Sequence, residues 1–542
     1  MSSPVSLGID LGTSELKAIL MDASGAVLAH TGVRLSVSRR HSGWSEQAPQ
    51  DWWQACLQAL DQLRTHEAFS RVACIGLSGQ MHGAVLLGDD NRVLYPAILW
   101  DDSRAVAQAQ QLGPGFAEVT GSLPMAGLTA PKLLWLQQHE PEVFKAIACV
   151  LSPKDYLRLR LSGERISDMS DAAGTLWLDV AHRQWFTPMV RATGLAPAQM
   201  PQLVEGGAVA GRVTAAGLGL SPAVVIAGGG GDNPVAAVGI GAINAGDGFI
   251  TLGTSAAIVA ITDHAAGNPA SAVHSFCHAL PNRWYTMGAM LAGASCLRWV
   301  TRLTGMPDEQ TLLDQVQAQL PVGQPVPLDT PLFLPYLAGE RTPHNDPLLR
   351  GGFMSLGHDC TPAMLGYAVM EGVGFGLLDA LRAVQSAGAS VGACALVGGG
   401  ARSEYWAQLL ANILQREIFT LQGSELSACI GAAKLGFLAI GEGAHLLEAG
   451  MPVKARYWPD LAQQPVLQAR YRKFQGLLTA AKPESSGRGI PNAVQLSADL
   501  LWARACSRKR WVSQHMFAGR RHRGQARSHI LSSLLWALRS LN

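Results

Sequence analysis

Asp232 ends a run of four glycines, Gly228 to Gly231, and is followed by Asn233 and Pro234. Little side-chain bulk separates such a carboxylate from a bound molecule, so it can serve as a general base toward a hydroxyl group. The same spacing suits a helix N-cap, a role Asp and Asn often fill, with Pro234 in the first turn. Two short turns offer a different chemistry. Leu11-Gly12-Thr13-Ser14 and Leu252-Gly253-Thr254-Ser255 each set a glycine beside two hydroxyl side chains. Glycine lets the backbone approach an anion, while exposed N–H groups and hydroxyls can donate to phosphate oxygens. Extended by two residues, Ile9 to Ser14 and Ile250 to Ser255 differ only in Asp10 against Thr251. A carboxylate beside a phosphate turn repels a nucleotide unless it organises Mg²⁺ or the water around it, and a turn-stabilising Asp is the alternative.

His82 lies in Gln80-Met81-His82-Gly83. It can hydrogen-bond hydroxyl groups while Met81 offers an apolar edge, or it can be a satisfied structural histidine. Trp100, Asp101 and Asp102 follow the strand-like Ala97 to Leu99. An aromatic floor with carboxylates suits a sugar, and equally a surface corner.

These residues need elements to hold them. Apolar runs flank both Gly-Thr-Ser turns, Val5 to Ile9 before the first and Ala256 to Ile261 after the second. Each copy therefore reads as strand, tight turn and antiparallel strand, in a fold built twice. Val224 to Ile226 runs into the glycines before Asp232, and Ala395 to Val397 runs into Gly398, Gly399, Gly400 and Ala401. Both stretches then enter a helix. In the second, Trp406, Leu409, Leu410 and Ile413 fall on one helical face. Ile75 to Gly83 is a third glycine-rich stretch after a strand. Loops at the carboxyl ends of strands are where open α/β sheets bind ligands. Neither G-x-G-x-x-G nor G-x-x-x-x-G-K-[ST] stands in a fitting context, which disfavours dehydrogenases and P-loop enzymes.

With 542 residues, 48% hydrophobic and 15% charged, the chain is long enough for two large lobes. Nine scattered cysteines without C-x-x-C spacing suggest neither a disulfide framework nor a zinc site. No charged leader precedes Val5, and no uncharged apolar run approaches the roughly 18 residues that span a bilayer. A reducing cytoplasm follows as the expected location. The net charge of +2 is uneven: residues 483 to 542 carry ten Lys or Arg against two acids, +8, leaving −6 for the rest. The expected division is 1–246, 247–482, and a basic tail at 483–542 that reads as a solvated or disordered segment, with no nucleic-acid pattern.

Together these motifs resemble the FGGY carbohydrate kinases of the actin, hexokinase and Hsp70 ATPase superfamily. Besides the residues above, the resemblance rests on Trp44-Ser45-Glu46-Gln47, Gly127 through His139 with Lys132, Pro153-Lys154-Asp155-Tyr156-Leu157, Ser167 through Thr175, His274 through His278, and Gly339-Glu340-Arg341-Thr342-Pro343-His344. It implies an α/β fold of two RNase H-like lobes around an interlobe cleft that binds a sugar and MgATP. Asp232 matches the catalytic aspartate, which takes the proton of the sugar's terminal hydroxyl. Asp10 matches the aspartate near Mg²⁺, acting through water. The resemblance places Met81, His82, Trp100, Asp101 and Asn233 at the sugar. At ATP it places Asp10, Gly12, Thr13, Ser14, Gly253, Thr254, Ser255, Gly398, Gly399, Gly400 and Ala401. It implies phosphorylation of D-xylulose to D-xylulose 5-phosphate, with ribulose, another ketose or a polyol as alternatives and a homodimer left open. A non-catalytic actin-like nucleotide binder is the rival of a different class. Two departures stand out: Ser355 where the family signature has glycine, and Asp101 where asparagine is common.

Overall fold

The computed structural model describes residues 3–481 except residue 328. The basic tail, and the reading of it as a solvated or disordered segment, lies outside the described residues.

Strands β1 (Val5–Leu11), β2 (Glu15–Asp22), β3 (Val27–Arg34), β4 (Val72–Gly79), β5 (Val209–Arg212), β6 (Val225–Ala227) and β7 (Gly230–Gly231) make one sheet. Its order is β5-β6-β4-β1-β2-β3, with β7 continuing along β4. Strands β8 (Gly248–Leu252), β9 (Ala256–Thr262), β10 (Val273–Cys277), β11 (Trp284–Met290), β12 (Cys394–Val397), β13 (Ile418–Leu421) and β14 (Val453–Tyr457) make the other, in the order β10-β11-β9-β8-β12-β13-β14. The connectivity repeats. In each sheet a hairpin strand bearing the Gly-Thr-Ser turn pairs antiparallel with its successor and parallel with a later strand (β1 with β2 and β4, β8 with β9 and β12). The Ile9↔Ala18 and Ile250↔Ile258 pairs occupy equivalent places in the two hairpins. Val5, Leu7, Ile9 and Leu11 are buried, and so are Ser6 and Gly8 between them, because both faces of the sheet are covered. Two mixed sheets with helices form the lobes that the resemblance implies.

The helices that matter to the site are α1 (Thr129–His139), α2 (Pro153–Ser162), α3 (Met169–Ala173), α4 (Asp232–Ile240), α5 (Ala294–Leu303), α6 (Pro362–Ser386), α7 (Glu404–Leu414) and α8 (Ser427–Ala439). In α7, Ser403 caps the first turn by accepting from the Trp406 N–H at 3.2 Å. Its face of Trp406, Leu409, Leu410 and Ile413 is buried as the spacing predicts. Helix α6 is long and apolar enough by composition to cross a bilayer, with hydropathy 1.3 over its apolar window. However, 83% of that window is buried inside the protein, where it packs on β9 and β11. Helix α8 comes late in the chain yet lies on β1, β4 and α4 of the first sheet. Backbones nearly touch there: a Cβ on Gly76 would stand 1.7 Å from the Ala432 carbonyl oxygen, and one on Gly431 1.8 Å from that of Val235.

Candidate active site

Three parallel segments bring the first set of residues together. Asp10 near the end of β1 is opposite Ser78 on β4, and Ser78 is opposite Gly230 on β7. Two interstrand spacings of about 4.8 Å therefore separate the backbones of Asp10 and Gly230, and Asp232 follows two residues on. Gly231 is the N-cap of α4, so Asp232 lies in the first turn and is not the cap. The Asp232 carboxylate accepts the Asn233 N–H at 2.7 Å and the Asn233 side-chain amide at 3.2 Å. Half-burial and the nearby Asp10 charge raise its pKa to about 7. The Asp10 carboxyl is also held above its ordinary range by burial, against a 2.8 Å hydrogen bond from Ser78 Oγ to its Oδ1.

His82 sits above this layer with φ +69, a strained value for a side-chain-bearing residue. Its peptide is held by two donors from α1: Lys132 Nζ at 2.8 Å and Thr129 Oγ1 at 3.1 Å, both to the His82 carbonyl oxygen. Lys132 spends its other donors on the carbonyls of Gly127 and Ile98, and burial lowers its pKa to about 7. His82 Nδ1 lies 2.8 Å from the Gly174 carbonyl, which only accepts, so Nδ1 carries the proton and Nε2 is a free acceptor. Burial lowers its pKa to about 4, keeping the ring neutral. Met81 is buried. A Cβ on Gly231 would stand 2.5 Å from it, and the Tyr285 hydroxyl lies 3.7 Å from its sulfur. Met81 thus supports the start of α4 from below more than it faces a ligand.

The exposed Trp100 donates from Nε1 to Thr13 Oγ1 at 3.1 Å, and Thr13 Oγ1 donates to Gln80 Oε1 at 2.8 Å. Gln80 passes the chain to Gln47 at 2.9 Å, and Gln47 returns to the Thr13 carbonyl at 2.8 Å. The Thr13 hydroxyl is therefore committed to holding the first turn, whose Ser14 side chain is exposed. Asp101 Oδ2 pairs with Arg39 at 2.8 Å, while its buried Oδ1 has no hydrogen-bond partner. Asp102 takes no part in a ligand surface: it accepts Nε and Nη2 and the backbone N–H of Arg104, and the Ser45 N–H.

The second turn faces other helices. Thr254 and Ser255 are exposed, and the Gly253 carbonyl accepts the Ala294 N–H at 2.7 Å. That bond aims the positive end of α5 at the turn, a natural place for an anion. Gly398 has φ +92, and a Cβ there would press against the Leu252 carbonyl at 3.0 Å. The Thr251↔Val397 pair of β8 and β12 thus brings Gly398 to Ala401 beside Gly253. One sheet thus carries acids with an imidazole, and the other a glycine-rich turn and loop at a helix N-terminus, chemistry that suits a phosphate.

Models of the FGGY family of carbohydrate kinases match the chain twice, the N-terminal domain over residues 5–239 and the C-terminal domain over 248–440. The chain belongs to the FGGY carbohydrate kinases. Among FGGY relatives, the xylulose kinase of Escherichia coli (strain K12) is 44% identical over 485 residues, covering 88% of this chain and 99% of that protein. The Klebsiella pneumoniae xylulose kinase is 45% identical over 462 residues, 84% and 94% of the two chains. A crystal structure described as a "xyloylose kinase" from Brucella ovis superposes with TM-score 0.84 at 42% identity, covering 88% of this chain and 99% of that one. A gluconate kinase from Lactobacillus acidophilus reaches TM-score 0.82 at 26% identity, covering 88% and 98%.

The sequence did not show which distant residues come together at this FGGY site. Tyr285 and Arg341 reach it from the second half of the chain, more than 200 residues from Met81 and His82. Arg341 follows Glu340, whose Oε1 accepts the Leu291 and Arg341 N–H groups at 2.7 Å. The Arg341 guanidinium makes no hydrogen bond or ion pair to another described residue and stands within electrostatic reach of both His82 and His274. Its motif could be recognised in the sequence, but its place in space could not.

Proposed function

We propose that this kinase transfers the γ-phosphoryl group of ATP to the terminal hydroxyl of D-xylulose, giving D-xylulose 5-phosphate and ADP in the cytoplasmic breakdown of xylose. The choice of sugar rests on the two bacterial relatives named xylulose kinase, one aligned over 99% of its length. The choice of chemistry rests on Asp232, whose pKa of about 7 suits a base that works near neutrality.

In this reading the sugar lies between His82, Trp100, Asp101, Asn233 and Asp232. Neutral His82 accepts a hydrogen bond from a sugar hydroxyl at Nε2, Trp100 supplies an apolar face, and Asp101 offers its unpartnered Oδ1 as a further acceptor. Asp232 takes the proton of the attacking hydroxyl as the new O–P bond forms and the bond to the ADP oxygen breaks. Gly253 to Ser255 and Gly398 to Ala401 hold the polyphosphate through backbone N–H groups and hydroxyls, with the α5 N-terminus behind them. On the other side, Gly12 and Ser14 offer donors. Arg341 adds positive charge at the sugar end of the cleft.

Asp10 fits a hydrated Mg²⁺: one oxygen is held by Ser78, and burial leaves a carboxylate whose charge a cation would stabilise. When bound, Mg²⁺ neutralises phosphate charge.

The test is a coupled kinase assay over D-xylulose, D-ribulose, L-ribulose, gluconate and glycerol. D-xylulose is expected to give the highest kcat/KM, and a higher value for another acceptor overturns the choice of sugar while leaving the kinase chemistry in place.

A further inference from the structure

Behind Asp232 lies a buried cluster of five ionisable side chains, Lys154, Asp155, Arg158, Asp168 and Asp171, all 0% exposed. Three carboxylates this close resemble a metal site. The Lys154 ammonium already stands among them: it bonds Asp155 Oδ1, Asp168 Oδ2 at 2.7 Å and Asp171 Oδ2 at 3.4 Å. It donates a hydrogen bond to Asp155 and meets the other two acids as ion pairs by distance, so the cation these acids attract is part of the chain.

Arg158 Nη1 binds Asp155 Oδ1 at 2.6 Å and the Ile166 carbonyl at 2.6 Å, and Nη2 donates to the Gly228 carbonyl. Asp168 Oδ1 accepts the Ser170 N–H at 2.8 Å and the Ser170 hydroxyl at 2.5 Å. With its proton committed to Asp168, Ser170 Oγ accepts the Gly231 N–H at 3.1 Å. The cluster thus grips both ends of the glycine run that leads into Asp232, Gly228 through Arg158 and Gly231 through Ser170.

Four consecutive glycines have no side chains with which to fix themselves, and each samples more backbone conformations than any other residue. Nor can side chains be added here. A Cβ on Gly230 would stand 2.7 Å from Ser170 Oγ, and Gly229 has φ +67. The run must stay all-glycine, so its order has to come from outside. Burying charged groups is costly, and a well-packed apolar cluster often serves stability as well or better. Geometry at Asp232 is a reason to keep them, because a shift of about 1 Å in a catalytic group can cost on the order of 10²-fold in rate.

We propose that Ser170 and Arg158, held by this buried cluster, are positioning residues that set Asp232 in register with the attacking hydroxyl. The proposal rests on Asp232 being the base, which the Asp232→Asn variant tests separately.

The experiment is a double-mutant cycle with the full chain and its best sugar. Ser170→Ala should lower kcat by about 10-fold or more, leave KM for sugar and ATP within about 3-fold, and shift the acid limb of the pH–rate profile. In the Asp232→Asn background the same change should cost less than about 2-fold, because there is no longer a base to position. An equal loss in both backgrounds, or an unchanged kcat in Ser170→Ala, overturns the proposal. Should Ser170→Ala fail to fold, Arg158→Lys keeps the charge but loses the planar fork that reaches Gly228, and the same cycle decides.

Discussion

The proposed base carries a conflict at the scale of one residue: it must be ionised to work, and its surroundings resist ionisation. Half-burial and Asp10 place the Asp232 pKa near 7, against about 3.9 for a free aspartate. The free-enzyme kcat/KM should therefore rise with pH through about 7 and level off above it, and a flat profile from pH 5.5 to 8.5 would remove Asp232 as the base. Stability runs the other way. A carboxyl with a raised folded-state pKa is fully tolerated below its unfolded pKa, and its contribution is lost as pH rises through the folded value. Asp232→Asn should then lower kcat by roughly 10² to 10⁴ while raising Tm at pH 8, with the Tm difference shrinking as the pH falls from 7 toward 4. Thermal melts at pH 4.5 and 8 measure this directly. Asp232 and His82 were legible in the sequence because each ends a glycine-flanked run after a strand. Ser170 and Arg341 stand in motifs that the sequence showed, but their contacts, like those of Tyr285, were not legible, because the contacts to Gly231 and Met81 and the proximity to His82 span about 60 to 260 positions, and no local period encodes such contacts.

At the scale of elements, the paired hairpins were readable from their turns, since alternating apolar runs around Gly-Thr-Ser leave few other folds open. Helix α8 was hidden. It is buried nearly all round, so it has no polar face to set a period, and its glycines report only that another backbone comes close. The departure at Ser355 has a structural meaning as well. Ser355 follows the short strand Gly352–Met354 with φ +63, in the left-handed region that glycine enters without cost. A family glycine there answers a backbone demand, and serine bears roughly 1 kcal/mol of strain, offset in part by the greater freedom of glycine when unfolded. Ser355→Gly is expected to raise unfolding stability by about 0.5 kcal/mol and leave kcat unchanged, as read by urea denaturation beside the kinase assay. A loss of stability would show that the serine side chain contributes more than the strain costs.

At the scale of the whole molecule, the two sheets divide the labour unequally. The carboxylates, His82 and Trp100 belong to the first part of the chain, whereas the exposed turn at Thr254 and Ser255 and the Gly398 loop belong to the second. The division is not complete. Phe276 and Tyr285 from the second sheet stand near His82 and Met81, and the imidazole of His274 lies 2.5 Å from the Ser122 hydroxyl. Helix α8, which follows β13 of the second sheet, packs on β1 and β4 of the first. We propose that a sugar drawing these groups together would bring the second turn toward Asp10 before ATP arrives, and that ATP would do the same for the sugar. Each ligand should bind more tightly in the presence of the other, and thermodynamic linkage requires the two factors to be equal. For a coupling free energy of about 1 to 3 kcal/mol the factor lies between about 5 and 150. Calorimetric titration of D-xylulose with and without a non-hydrolysable MgATP analogue, and of the analogue with and without D-xylulose, measures both. Matching factors above about 5 are expected, and a factor near one would mean that the two sides bind as independent sites.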